Sequence, residues 1–356
     1  MVGSKTSSVY MPATSSADIV FCMQQLITSR FDGMDNSHRM PDQYDLFLYT
    51  GNERVVEDLT KYKHNGFHPI VLGDVLPKPD TSVGNPDRVP RYRILLKLGF
   101  GAFATVWLAR DLTDKRYVSL KICLGTDAPE LGNEAALLSE LRNLGQGKAG
   151  FERIIQLFDV FTRGRMDPHL ANFGVALPQL EQFSEDDIID YFANPEIIPV
   201  VPRDTSFSMS SLPPYVTLRV SMADFLHMMK SFPAEPTMSI KILDFGRAHR
   251  TSEKLTTLPG AAPKLIRPPE VVVYDDFEGR AGSVWSKSAD IWAVGCTVYQ
   301  IYYRTSYELI STWGSHNDFI LRTLQLGGPP PDGWPGIWNT RSGHGNGMLH
   351  LRSWLL

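Results

Sequence analysis

A chain of 356 residues is long enough for two lobes with separate cores, and its 43% apolar and 21% charged residues are the balance of an ordinary globular protein. A net charge of -4 gives no basis for holding nucleic acid by bulk electrostatics. Cys22, Cys123 and Cys296 are too few and too scattered for a disulfide framework or a zinc site, which points to a reducing, intracellular setting, cytoplasmic or nuclear.

Residues 1–52 mix Ser, Thr, Met, Asp and Asn without sustained periodicity and read as a poorly ordered extension, with one short helix around DIVFCMQQLI. Residues 53–90 form a Gly- and Pro-punctuated lead-in with a brief apolar run, PIVLGDVL. Three strands follow: RYRILLKLG, then TVWLARDL after a glycine turn, then RYVSLKICL after the DLTDK turn. NEAALLSELRNL has helical spacing, and IIQLFDVFT reads as another strand. In FSEDDIIDYF, Ser184 stands as N-cap with Asp187 three residues on. PEIIPVVPRDTSFSMSSLPPY reads as loop and SIKILDFG as a strand running into a tight turn. The longest apolar run, ADIWAVGCTVYQIYY, carries Asp290 and Gln300 and falls short of the roughly 18 residues a membrane span needs, so SKSADIWAVGCTVYQIYY reads as a buried central helix. The N-terminus has no basic region followed by an apolar one, so no secretory signal is expected.

Four motifs carry chemistry, and two more are architectural. GFGAFATV, Gly99 to Val106, is a glycine turn whose backbone N–H groups can approach phosphate, although Ala104 fills the usual third glycine; a plain hairpin turn is the competing reading. VSLK ends at Lys121, 15 positions after Val106, and is followed by a helix holding Glu134; a strand lysine clamped by a helix glutamate can hold phosphates, while each charge alone reads as a solvated surface group. DPHLAN sets Asp167 and Asn172 five positions apart, the spacing of a residue that orients a hydroxyl and one that holds a metal ion. ILDFG places Asp244 at the end of an apolar strand, suited to Mg2+ or to a simple turn. RPPEVVV and SADIWAVGC, with Glu270 and Asp290, are architectural: Asp290 would be a buried tie to the catalytic loop.

In this order the motifs resemble a eukaryotic protein kinase, and GFHPIVLGDVL, RYRILLKLGFGAFATVWLARD and the segment from NFGVALP through FSEDDIIDYF to LPPY resemble the serine/arginine-protein kinase-like group, its fungal branch above all. The resemblance covers roughly residues 55–335. It implies an α+β, bilobal fold: a β-rich lobe over 91–163, a mainly helical, incomplete lobe over 164–338 with an insert at 175–239, and an atypical tail over 339–356. It implies ATP and Mg2+ as cofactors, a protein substrate that is Ser/Arg-rich, and no direct nucleic-acid or membrane partner. Leu98, Gly99, Phe100, Gly101, Ala102, Val106 and Lys121 would bind nucleotide, Glu134 would orient Lys121, and Asn172 and Asp244 would hold the metal. Asp167 would orient the substrate hydroxyl, and His169 stands where a lysine usually touches the γ-phosphate, or else packs on Phe173.

Two departures stand out. Only 46 positions separate Lys121 from Asp167, too few for a base-binding hinge and the helices that usually follow it. Arg165 and Met166 also replace the usual His-Arg before Asp167. The expectation is an internal and C-terminal deletion. The functional readings are a serine/threonine protein kinase with impaired transfer, a catalytically dead remnant that binds partners, and a small-molecule phosphotransferase, which RPPE and SADIWAVG argue against.

Overall fold

The computed structural model describes residues 20–22, 46–48, 56–63, 66–78, 87, 89–101, 104–123, 134–145, 147–157, 159, 173–192, 195–203, 211–243, 245, 248, 266, 268–270, 287–303, 309–310 and 316–328. The chain divides into two compact units, Met1–Ala248 and His249–Leu356.

The first unit is built on strands β1 (Val20–Cys22), β2 (Val75–Leu76), β3 (Tyr92–Phe100), β4 (Ala104–Asp111) and β5 (Arg116–Cys123). The last four form an antiparallel sheet in chain order. The three long strands are those the alternating pattern predicts. The DLTDK turn closes on Asp111, whose Oδ1 accepts the N–H of Thr113 at 3.0 Å and of Asp114 at 3.2 Å, while Lys115 takes a left-handed φ of 52°. Helix α1 (Glu134–Gly145) follows, as its spacing predicts.

Cross-strand partners share a face, so the register sorts the sheet into two sides. Trp107, Ala109, Val118 and Ile122 face a cluster with Ile70, Leu76, Tyr92 and Ile94. Leu108 and Tyr117 face the opposite cluster, and by register so do Val106, Ser119 and Lys121. The β3–β4 register shifts between Ile94 and Leu96, a bulge that puts Leu95 and Leu96 on the same side and turns Lys97 toward Trp107.

The rest of the first unit covers this sheet. Strands β6 (Phe173–Ala176), β7 (Ile197–Pro199), β8 (Tyr215–Thr217) and β9 (Ser239–Ile242) form small antiparallel sheets, β1-β6-β9 and β7-β8. Helix α2 (Glu185–Tyr191) begins with the expected capping box between Ser184 and Asp187. Helix α3 (Met222–Met228) starts at Ser221, whose hydroxyl accepts the N–H of Asp224 at 3.2 Å. Leu177, Leu180, Ile188, Met222, Phe225 and Leu226 are fully buried against Leu95, Leu96, Leu108 and Tyr117. Phe225 takes edge-on ring contacts from Phe183 at 4.9 Å and Tyr191 at 5.2 Å. A further cluster joins Phe47, Val56, Leu59 and Tyr62 to Ile198, Val200 and Val216.

In the second unit, helices α4 (Lys287–Tyr303) and α5 (His316–Gly327) are described, and Ile310, Phe319 and Ile320 form its core with Trp292. Among the described residues no helix is long and apolar enough to cross a membrane.

Several expectations are corrected. The helix expected around DIVFCMQQLI contains strand β1 instead, because Val20–Cys22 pair with the open side of β6. Within the extension expected to be poorly ordered, Phe47 is fully buried and bridges Pro202. IIQLFDVFT yields, among the described residues, one parallel bridge from Ile154 to Ile242, which is the last residue of β9 and offers a single rung. PEIIPVVP contains β7, with Pro199 at the strand end, where a missing N–H is tolerated. Helix α4 forms, but Ile291, Val298, Ile301, Tyr302 and Tyr303 are exposed. Its apolar residues run all around the helix, so packing on one side leaves the others outside.

Candidate functional site

The site is built where β5 meets α1 and the segment after β9. Lys121 sits two residues before the end of β5, on the face that also carries Val106. Glu134 is the first residue of α1, where free helix N–H groups favour a carboxylate. Lys121 Nζ lies 3.2 Å from a Glu134 carboxylate oxygen, with both side chains largely covered. The other Glu134 oxygen accepts the backbone N–H of Phe245 at 2.9 Å. One carboxylate therefore links the strand lysine to the chain immediately after Asp244.

Gly99 is paired with Val106 across the hairpin, and Gly101 donates its N–H to Ala104 O at 2.8 Å, closing the turn. Leu98, Phe100, Gly101 and Val106 are half-buried around it. The hairpin needs no side chain at Gly99 or Gly101, so the backbone there can approach a phosphate closely. Ala102, Asp167, His169, Asn172 and Asp244 lie outside the described residues. Among the described residues no group of three or more His, Cys, Asp or Glu side chains gathers as a metal site. Glu270 is half-buried in the second unit. Asp290, expected as a buried tie, is exposed in the first turn of α4, where the positive end of the helix dipole favours a carboxylate.

A second set of charges, not found by motif reading, supports the strand that leads into the glycine turn. Lys97 Nζ bonds both Glu57 oxygens, at 2.6 and 2.5 Å, and Thr217 O at 3.2 Å, and lies 5.1 Å from the Trp107 ring centre. Tyr62 donates its hydroxyl to Glu57 at 2.7 Å. Lys97 and Glu57 are each about 1% exposed. Burial pulls the Lys97 ammonium below its usual range, opposed by Glu57, and burial with the Glu57 charge pushes the Tyr62 hydroxyl well up. The sequence signal was a lysine inside ILLKLG, an apolar run that otherwise has no place for a charge. The sheet's other face is braced by Arg93, which donates to both Glu185 oxygens at 2.6 Å, and by Glu181, which accepts the Tyr117 N–H at 2.7 Å. Burial pushes the Tyr117 hydroxyl up to about 12, in keeping with its role as donor to Phe183 O at 3.0 Å.

No protein-family model matches the chain. Over nearly a third of its length it is similar to a set of curated proteins that includes the following three. The serine/threonine-protein kinase spk-1 of Caenorhabditis elegans is 36% identical over 108 residues, 30% of this chain and 10% of that protein. The serine/threonine-protein kinase SKY1 of Saccharomyces cerevisiae is 33% identical over 117 residues, 31% of this chain and 14% of that protein. SRSF protein kinase 3 of Homo sapiens is 35% identical over 116 residues, 32% of this chain and 18% of that protein. The matched stretch thus spans between 10% and 18% of these relatives' own lengths. A glycine hairpin, a lysine strand and a glutamate helix arranged as here fit that likeness: over this stretch the α+β chain is similar to serine/threonine-protein kinases of the SR-protein kinase group.

Proposed function

We propose that this chain is a serine/threonine protein kinase that binds Mg-ATP at Gly99, Gly101 and Lys121 and transfers the γ-phosphate to a hydroxyl of a protein rich in Ser and Arg. The observation that carries this reading is the Glu134 carboxylate held between Lys121 Nζ and the Phe245 N–H. It joins three motifs that are far apart in sequence and fixes a cation beside a glycine turn, the minimum arrangement for gripping a polyphosphate. Lys121 neutralises phosphate charge, Glu134 holds its ammonium in place, and Val106 and Leu98 offer apolar surface alongside.

Asn172 and Asp244 supply oxygen donors, the type Mg2+ prefers, and would hold the ion that draws charge from the phosphates when bound. Asp167 takes the proton of the substrate hydroxyl as its oxygen bonds phosphorus and the ADP oxygen departs. His169 in neutral form donates one hydrogen bond to the phosphoryl group and carries no charge, so transfer responds to its titration.

A thermal-shift titration with Mg-ATP tests the nucleotide half: Lys121→Met should remove the rise in melting temperature seen with the unaltered chain. Incorporation of labelled phosphate into a Ser/Arg peptide, absent in Asp167→Ala, tests the transfer half. No shift at millimolar Mg-ATP would sink the reading.

A further inference from the structure

We propose that the buried pair Lys97–Glu57 positions the phosphate-gripping turn, so that two residues sealed from solvent set how tightly the nucleotide is held. The inference rests on the nucleotide reading above and names the residues that fix its glycine turn in place.

Lys97 is the last residue of β3 in regular register before the turn. It faces Trp107, a register shift follows, and the next pair is Gly99 with Val106. Two of the four residues after Lys97 are glycines, which bring no side chain to fix the strand's direction. The direction has to be set at Lys97, and three restraints meet there. Its ammonium donates to both Glu57 oxygens, at 2.6 and 2.5 Å, and to Thr217 O at 3.2 Å. The same ammonium lies 5.1 Å from the centre of the Trp107 ring on β4. The Lys97 carbonyl accepts the Val220 N–H at 2.8 Å.

The strand is thus held by side chain and main chain together, from two segments far apart in sequence: the lead-in that carries Glu57 and the stretch that carries Thr217 and Val220. Those segments are packed on each other. Val56, Leu59 and Tyr62 share a core with Ile198, Val200 and Val216, and Leu72 donates its N–H to the Tyr215 hydroxyl at 3.1 Å.

Stability does not account for the pair. Both residues are about 1% exposed and have lost their hydration, and an apolar pair of similar volume would fill the space at no greater cost. What an ammonium and a carboxylate add is direction, because their hydrogen bonds are satisfied at one placement of the strand only. A phosphate site needs that, since its shell works only when held to within about 0.5 Å.

The test compares the full chain with the double variant Lys97→Met, Glu57→Leu. It uses urea unfolding, isothermal titration with Mg-ATP, and hydrogen exchange over residues 99–106. The expected result separates fold from site. The double variant keeps a urea midpoint close to the parent's, binds Mg-ATP about tenfold more weakly, and exchanges the Gly101 N–H faster. Glu185→Gln, on the opposite face of the sheet, should leave affinity and exchange unchanged. Unchanged affinity in a stable double variant would overturn the inference while leaving the nucleotide site intact. So would an equal loss of affinity in Glu185→Gln, because the turn would then answer to any disturbance of the sheet. Should the double variant not fold, Glu57→Gln decides, with an affinity loss of about threefold expected and no loss overturning the inference. Failure of the unaltered chain to bind Mg-ATP would remove the site, and the inference with it.

Discussion

Glu134 accepts the backbone N–H of Phe245 at 2.9 Å across 111 residues of chain, while its second oxygen faces Lys121. A glutamate used in this way positions two elements at once, the lysine of β5 and the turn after β9. Glu134→Gln keeps an acceptor for Phe245 and removes the charge that steadies Lys121. Because the pair is partly open to water, the expected loss of stability is below about 1 kcal/mol. Mg-ATP affinity should fall more, by about tenfold. Chemical denaturation and nucleotide titration on the same sample check this, and equal affinity in both proteins would count against Glu134 as a positioning residue.

The buried pair Lys97–Glu57 behaves differently, because both charges have left water. Lys97→Met strands the Glu57 carboxylate and should cost about 3–5 kcal/mol. The double variant Lys97→Met, Glu57→Leu removes both charges and should recover most of that loss. A urea double-mutant cycle measures the coupling. A double variant no more stable than the single one would mean that the hydrogen bonds to Thr217 and Tyr62, rather than charge desolvation, dominate.

Acid should act through Asp111. Burial alone would raise its carboxyl, but the Arg91 hydrogen bond and the N–H groups of Asp114 and Thr113 outweigh it and hold the carboxyl below its ordinary 3.8. Arg91 reaches it through two nitrogens, at 2.8 and 2.7 Å. As pH falls the unfolded chain takes up this proton first, so the stability Asp111 contributes is present above 3.8 and lost below it, as pH passes the depressed folded value. Asp111→Asn should cost about 2–3 kcal/mol at neutral pH. The gap between variant and parent should narrow in denaturation curves taken progressively below pH 3.8. A constant gap would exclude this linkage.

What holds the segment after β6 to the sheet can be decided by magnitude. Phe225→Ala removes a fully buried ring and should cost about 3–5 kcal/mol. Glu185→Gln breaks an ion pair with Arg93, whose side chain is 42% exposed, and should cost well under about 1 kcal/mol. Comparable losses from the two, measured by thermal unfolding, would reverse the assignment from apolar packing to charge.

Much of the sheet was legible because its residues obey period two and its turns carry their own chemistry. Asp111 and Lys115 could be read as a turn, and Ser184 with Asp187 as a helix start, from local bonding alone. Lys121 and Glu134 could be paired because motif order suggested it. Val20–Cys22 could not be read as a strand, since three β-prone residues inside a helix-spaced run are too few to decide; the partner that does so lies more than 150 residues away. Helix α3 itself was missed along with its attachment: its two turns are too short to show a period, and nothing local marks the sheet that receives Phe225 and Leu226. Lys97 was visible as an oddity, yet its partner Glu57 lies in a lead-in with no periodicity to place it.

The irregularity between Ile94 and Leu96 places one extra residue, Leu95, in β3, and a second shift follows between Lys97 and Gly99. Removing Leu95 would let Ile94, Leu96 and Lys97 meet Ala109, Leu108 and Trp107 in simple alternation, so Lys97 would keep its side and the leucine layer would lose one member. The supernumerary leucine thus thickens the apolar layer without deciding which side carries the embedded charge, and a one-residue deletion there is a loss of packing rather than a change of register.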